Sequence, residues 1–244
     1  LQDLVRLNFM TDKAADFLKS AIESRLTIVV SGGTGTGKTS FLNSLARHIP
    51  DDQRIVSIED TQELKPQHPN WIHMLTVKRE NQNFTARDCL VNALRMRPDR
   101  IVVGECRGPE AFDMLQAINT GHEGSMTTVH ANSAVDCLSR LETLITLGHG
   151  DIPLKYIRSQ MASGIDLVVQ LKRQSNGLRQ IVEILEITGM SNDIISRSNI
   201  FEMNKSGQLD VTGYVPRCLT VMQAAGSKYK SQYFDPKVSM NNAG

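Results

Sequence analysis

Thr27-Ile28-Val29-Val30-Ser31-Gly32-Gly33-Thr34-Gly35-Thr36-Gly37-Lys38-Thr39-Ser40-Phe41-Leu42 is the stretch on which the fold turns. Its first four residues form a short continuous apolar run, the pattern of a strand buried on both faces. Glycines then interrupt, and Phe41, Leu42, Leu45, Ala46 and Ile49 return at helical spacing until Pro50 stops them. Residues 32–39 satisfy the phosphate-loop pattern GxxxxGK[ST]. Such a loop turns successive backbone N–H groups of Gly33, Thr34, Gly35, Thr36, Gly37, Lys38, Thr39 and Ser40 toward a phosphate at the positive end of a helix. Lys38 reaches the β and γ oxygens, and the Thr39 hydroxyl is placed to ligand Mg2+. Strand, glycine loop and amphipathic helix in that order imply a nucleoside triphosphate ligand rather than a chance glycine-rich turn.

Working outward, the alternation persists. Thr11 is placed to cap a helix with Ala14, Phe17, Leu18, Ala21 and Ile22 on one face. Downstream, Arg54–Ile58, Trp71–Val77, Ile101–Val103 and Ser125–Val129 read as strands. Between them, Thr85-Ala86-Arg87-Asp88 opens a helix as a capping box, Pro109 starts another at N1, and Ser133 caps a third. Repeated β-then-α with buried strands predicts an α/β fold with a mostly parallel, doubly wound sheet. After one more helix beyond Pro153, the pattern changes. Ile165–Leu171 and Gln180–Ile187 flank Ser175-Asn176-Gly177 as a β-hairpin, the mark of a small C-terminal β-hairpin and helical subdomain. The polar last residues are expected to fray.

Composition narrows the classes. Lys and Arg number 27 against 26 Asp and Glu, a net charge of +1, so no overall electrostatic footprint for nucleic acid is present. No apolar run approaches the roughly 20 residues a spanning helix needs. Cys89, Cys106, Cys137 and Cys218 lack metal-site spacing and read as free, cytosolic thiols. The opening Leu1-Gln2-Asp3 carries neither an initiator Met nor a basic leader, which reads as a piece of a longer protein.

A phosphate-loop hydrolase also needs a carboxylate on a neighbouring strand. Glu105 follows Ile101-Val102-Val103-Gly104 at a strand's C-terminal end, where open α/β sheets bind ligands. There it orients the attacking water, or it is a surface residue after a core strand. Glu59-Asp60 ends the Arg54–Ile58 strand in the same way, with Asp60 serving as either a turn cap or a catalytic group. His122 and His130 lie eight residues apart across a predicted strand, a spacing that does not make a helical metal pair. His130, at the strand's C-terminal end, is either a γ-phosphate sensor or a satisfied core histidine.

Four ordered segments resemble the bacterial secretion and type IV pilus ATPase superfamily. They are GGTGTGKT (32–39), RIVSIEDTQEL (54–64), RPDRIVVGECRG (97–108) and NTGHEGSMTTVHANS (119–133). The resemblance implies a RecA-like core, ATP and Mg2+, and Glu105 as the catalytic carboxylate. It implies Glu59 as a second acid near metal and water, and His122 with His130 as a γ-phosphate-linked element. Within the superfamily the chain is most similar to the CpaF-like ATPases of Tad/Flp pili. That similarity rests on the histidine spacing, on 94–100, and on Ile187-Thr188-Gly189-Met190 with Asn199-Ile200-Phe201. Conjugation-type ATPases of type IV secretion share TGHxGS and the 168–173 stretch VVQLKR, and are the runner-up. Residues 78–83 form a shorter loop than the CpaF-like group carries.

The resulting expectation is a motor ATPase of pilus assembly or secretion. It works as a homo-hexamer against an inner-membrane platform protein, peripheral to the cytoplasmic face of the inner membrane, without a specific nucleic acid. Residues 1–26 are expected to be a linker and entry helix from a preceding regulatory domain, 27–164 the ATPase core, 165–230 the C-terminal subdomain and 231–244 a disordered tail. Arg95, Arg97, Arg100 and Arg107 are four candidates for a charge acting on the transition state. The rival classes are a nucleic-acid motor on the same fold, a small-molecule kinase and a non-catalytic nucleotide-binding module.

Overall fold

A computed structural model describes residues 1–79 and 82–237. Helices α1 (Gln2–Arg6) and α2 (Asp12–Glu23) lead into β1 (Ile28–Gly32) and α3 (Lys38–Ala46). Strands β2 (Ile55–Glu59) and β3 (Trp71–Leu75) follow, then a small hairpin of β4 (Val77–Arg79) and β5 (Gln82–Phe84). Helix α4 (Ala86–Leu94), β6 (Arg100–Val103), α5 (Glu110–Ile118), β7 (Met126–Val129), α6 (Ala134–Gly148) and α7 (Leu154–Gly164) continue the alternation. The chain closes with β8 (Leu167–Arg173), β9 (Arg179–Ser191), β10 (Ile194–Met203), β11 (Leu209–Val211), α8 (Leu219–Ala224) and a 3-10 turn over Ser231–Phe234.

One nine-stranded sheet runs β11-β10-β9-β8-β1-β7-β6-β2-β3. From β3 to β8 every neighbouring pair is parallel; β8, β9, β10 and β11 are antiparallel. The α/β class with a mostly parallel sheet therefore stands. β1 is buried at every position, and its alternate side chains feed two cores. Ile28 and Val30 join Phe17, Leu18 and Phe41 on the α2–α3 side, while Val29 joins Leu115, Leu138 and Ile157 on the α4–α7 side. Each such side chain contributes roughly 1.5–3 kcal/mol on burial. This two-sided demand explains why the strands read as unbroken apolar runs.

Local predictions meet geometry in detail. Thr85 and Asp88 form the reciprocal capping box, and the Ser133 hydroxyl accepts the Asp136 N–H. Thr11 occupies the N-cap position of α2, but its side chain makes no capping hydrogen bond. Pro109 is the N-cap of α5 rather than N1. The strand expected over Trp71–Val77 ends at Leu75, because Val77 pairs with Phe84 in the small hairpin instead.

The C-terminal hairpin forms: β8 lies parallel beside β1, so the hairpin grows out of the central sheet next to the phosphate loop. One larger expectation needs correction. The tail does not fray from residue 231, because Tyr233 and Phe234 are buried against α2. Phe234 meets the Phe17 ring edge-on at 5.9 Å, and the Tyr233 hydroxyl donates to the Lys13 carbonyl at 2.6 Å. The polar residues around this pair conceal an aromatic anchor. The remainder of the expected tail, 238–244, lies outside the described residues, as do Glu80 and Asn81 of the 78–83 loop.

Candidate functional site

β1, β2, β6 and β7 all end on one edge of the sheet, and the phosphate loop rises from it. Gly37, at φ 91°, is the N-cap of α3. That left-handed conformation strains any residue with a Cβ, so the helix can start there only on glycine. The Thr36 hydroxyl ties the loop by donating to the Gly33 carbonyl at 2.9 Å. Lys38 folds its ammonium back over the loop, donating to the carbonyls of Gly32 at 2.9 Å and Gly33 at 3.1 Å. Burial pushes its pKa down; Glu105 opposes that shift and Arg107 adds to it. Thr34, Gly35, Thr39 and Ser40 complete the loop and the first turn of α3, as the motif predicts.

Beside Thr39 a cavity of about 140 Å3 is lined by Glu59, Asp60, Glu63, Glu105 and Arg107. Glu59 is buried at the end of β2. Its Oε1 accepts the backbone N–H groups of Glu63 (3.0 Å) and Leu64 (2.9 Å). Its buried Oε2 has no hydrogen bond and stands 3.8 Å from His73 Nδ1 on β3. The two strands approach closely here: a Cβ on Gly104 would sit 3.1 Å from Glu59 Cγ. Asp60 accepts the Thr76 hydroxyl at 2.8 Å, so it ties the loop as well as facing the cavity.

Glu105 pairs with Arg107 at 2.7 Å, and Arg107 reaches Asp60 at 3.7 Å. These contacts raise the Arg107 pKa, the hydrogen bond to Glu105 first among them. Glu110 fixes the turn by accepting the N–H groups of Arg107 and Gly108. Of the four candidate arginines only Arg107 faces the site. Arg95 and Arg97 follow α4 and precede β6, on the opposite edge. Arg100 is fully buried there, donating to the carbonyls of Ile22 at 2.7 Å and Gly124 at 3.3 Å, and burial lowers its pKa to about 10. It is a structural tie, removed from any phosphate.

The two histidines part company. Val129 pairs with Ser31, so exposed His130 stands level with Gly32 at the phosphate-loop edge. Its strand is laced to the Glu105 loop: the Thr128 hydroxyl donates to Gly104 O at 2.8 Å, and Cys106 N–H donates to Thr128 O at 2.9 Å. His122 precedes β7 and lies at the other edge, held to the Ala117 carbonyl at 3.0 Å through Nδ1. The structure thus places His130 beside the phosphate loop and His122 at the opposite edge of the sheet. The β-strand between them separates the two rings by its own length.

Sequence reasoning missed two contributors. His73 faces both Ser57 Oγ, at 3.1 Å, and Glu59. Arg179, from the start of β9, donates through Nε to the Gly35 carbonyl at 2.9 Å. The Asn176-Gly177 turn marked the hairpin, but no local signal gave its position beside the loop. The four cysteines are buried free thiols. Burial pushes Cys106 and Cys137 up to about 12, and Cys218 is raised as well, so none is poised as a nucleophile.

The donors fit a magnesium ion. The Thr39 hydroxyl and the carboxylates of Glu59 and Glu105 are hard oxygen donors on residues that line one cavity, and the Glu59 Oε2 has no hydrogen bond. Among the described residues no group of three or more His, Cys, Asp or Glu forms a metal site by itself. The set suits a cation whose coordination is shared with phosphate oxygens.

The family described as "Type II/IV secretion system protein" matches residues 1–181. A putative conjugal transfer protein of Mycobacterium tuberculosis is 40% identical over 174 residues, 70% of this chain and 49% of that protein. The type IV secretion system protein VirB11 of Bartonella henselae is 37% identical over 207 residues, 83% and 56% of the two chains. A crystal structure of the VirB11 ATPase from the Brucella suis type IV secretion system, in complex with sulphate, superposes with a TM-score of 0.64. It has 34% identity and covers 75% of this chain and 54% of that one. The chain spans about half the length of the curated relatives it matches.

Proposed function

This chain belongs to the type II/IV secretion system protein family, and within it we propose the nucleotide-hydrolysing part of a conjugation-type type IV secretion ATPase. One observation carries the reading: Thr39, Glu59 and Glu105, from three separate strand ends, line one cavity at a single edge, and Lys38 folds over the loop beside it. Glycine loops occur in many folds, but a phosphate cradle facing two carboxylates is the arrangement that phosphoanhydride hydrolysis needs.

In this mechanism the backbone N–H groups of 33–40 bind the phosphates of ATP, at the N-terminus of α3. Lys38 exchanges the Gly32 and Gly33 carbonyls for β and γ oxygens. Glu105 orients the attacking water and accepts its proton, and Arg107 offsets the carboxylate's charge. His130 stands at the same edge to contact the γ-phosphate. Thr39, with Glu59 and Glu105 through water, would hold Mg2+, which neutralises developing phosphate charge when bound. His122 has no part in this chemistry within one subunit.

The names of the relatives favour conjugation-type secretion over the Tad/Flp pilus system expected first. The assembly we propose is a homo-hexamer that docks on an inner-membrane platform protein from the cytoplasmic side. Among the described residues no helix is long and apolar enough to cross a membrane.

The test is steady-state hydrolysis of Mg·ATP by the full-length protein against protein concentration, beside Lys38→Ala and Glu105→Gln. The expected result is a specific rate that rises with concentration, loss of nucleotide binding in Lys38→Ala, and binding without turnover in Glu105→Gln. Parental turnover in Glu105→Gln would remove Glu105 from its role. A phosphate-loop variant that binds ATP normally would remove the site itself.

A further inference from the structure

The hairpin of β8 and β9 leaves the sheet beside β1 and overhangs the phosphate loop. Gly32 pairs with Leu171, so Lys172 and Arg173 continue past the level where the loop begins. Arg173 and Arg179 are direct cross-strand partners, and their side chains therefore stand on the same face of the hairpin. Like charges directly opposite destabilise a strand pair. Among the described residues neither arginine pairs with a carboxylate. The Arg179 side chain crosses to the loop, where Nε donates to Gly35 O at 2.9 Å and Cδ lies 3.6 Å from where a Gly37 Cβ would be. One donor of its five is spent on the carbonyl, and the residue is exposed beside the loop.

We propose that Arg179, backed by Arg173, is a phosphate clasp: an additional cation, supplied by the C-terminal hairpin, that binds the polyphosphate of the nucleotide seated in the loop. The proposal rests on reading residues 32–39 as a nucleoside triphosphate site. A polyphosphate relieves the repulsion of the arginine pair. It also gains a planar donor fork, which pairs with phosphate oxygens better than an ammonium does. The Gly35 contact keeps the guanidinium over the loop before ligand arrives, so little ordering is left for the binding step. Because the clasp belongs to the hairpin, occupancy of the loop is felt directly by β8 and β9.

Equilibrium binding of Mg·ATP, and competition by inorganic pyrophosphate, on the full-length protein test this with Arg179→Ala, Arg179→Gln and Arg179→Lys. Glutamine keeps a donor for the Gly35 carbonyl but removes the charge; lysine keeps the charge but loses the fork. Arg179→Ala and Arg179→Gln are expected to bind both ligands about tenfold more weakly, near the lower end for a charged hydrogen bond, and Arg179→Lys, which keeps the charge, about threefold. Parental affinity in Arg179→Gln would reduce the residue to a tie that shapes the loop and overturn the clasp. Weakened ATP binding with unchanged pyrophosphate competition would move the contact off the phosphates, with the same consequence. Lys38→Ala separates the two readings: if the parent protein binds neither ligand, or Lys38→Ala binds like the parent, it is the nucleotide site that fails. If Lys38→Ala loses binding while Arg179→Ala matches the parent, only the clasp fails.

Discussion

Replacing Glu59 by glutamine and, separately, by alanine divides two roles that share one carboxylate. Oε1 holds the loop after β2 by accepting the N–H groups of Glu63 and Leu64 at 3.0 and 2.9 Å, while Oε2 is buried without a hydrogen bond, 3.8 Å from His73 Nδ1. Alanine removes both bonds and leaves two backbone donors to find water, beside a Leu64 side chain that is fully buried. Hydrogen bonds to a charged group contribute about 1.5–3 kcal/mol each, so the loss of two is about 3–6 kcal/mol. For a chain of this size each kcal/mol moves Tm by about 2–4 °C, which predicts a fall of roughly 6–24 °C. Glutamine presents a carbonyl in place of Oε1 and keeps both bonds, so its stability stays within about 1 kcal/mol of the parent. Its amide nitrogen instead puts a neutral donor in place of the charged Oε2 of a residue that lines the cavity, and turnover of Mg·ATP falls at least tenfold, the effect of about 1.4 kcal/mol in the barrier. Thermal melts and urea titrations read the first effect and steady-state hydrolysis the second. A glutamine variant as unstable as the alanine one, or an alanine variant that melts like the parent, would refute the assignment of Oε1. Unchanged turnover in the glutamine variant would leave Glu59 with the structural role alone.

Phe234→Ala removes a fully buried ring packed edge-on against Phe17. It is expected to cost about 3–5 kcal/mol in urea denaturation, and a loss below 1 kcal/mol would detach the C-terminal anchor from the core. Asp166, which accepts the Thr27 N–H at 2.7 Å, has its pKa raised from 3.8 to about 6, chiefly by burial. Between these values the folded protein binds more protons than the unfolded one, so this carboxyl lowers stability as pH climbs from 4 to 6. Asp166→Asn keeps an acceptor for Thr27 and is expected to be more stable than the parent at pH 7, by about 2–3 kcal/mol, with the gain vanishing near pH 4. An advantage independent of pH would refute the burial argument.

The phosphate loop was legible because backbone geometry, not distant packing, makes it work. Glycine is required where φ is positive at Gly37, and lysine and threonine are required at fixed offsets from it. Glu59 and Glu105 were legible for a related reason: each follows a buried apolar run, and parallel strands deliver their C-terminal ends to a common edge. The division of labour within Glu59 was not legible, since its amide partners lie in a loop with no periodic signal. The histidines show the limit of spacing as evidence. Eight residues said that a strand separates them, but only the direction of β7 said that His122 is on the far edge.

By itself the sequence determined the local units: the strand–loop–helix that cradles phosphate, the alternation that demands a two-sided core, and the capping residues that begin α4 and α6. These follow from interactions between residues close in the chain, or from an apolar pattern that any buried strand must carry. Tertiary structure alone decided which units become neighbours. It set β8 against β1, and so brought Arg179 across 144 residues to the Gly35 carbonyl. It chose Arg107 from four arginines, and it folded the aromatic end of a polar tail against Phe17. Those choices depend on strand order and on the direction from which a side chain enters a site. Both are settled by the packing of the whole sheet, in which no short stretch of chain has a decisive part.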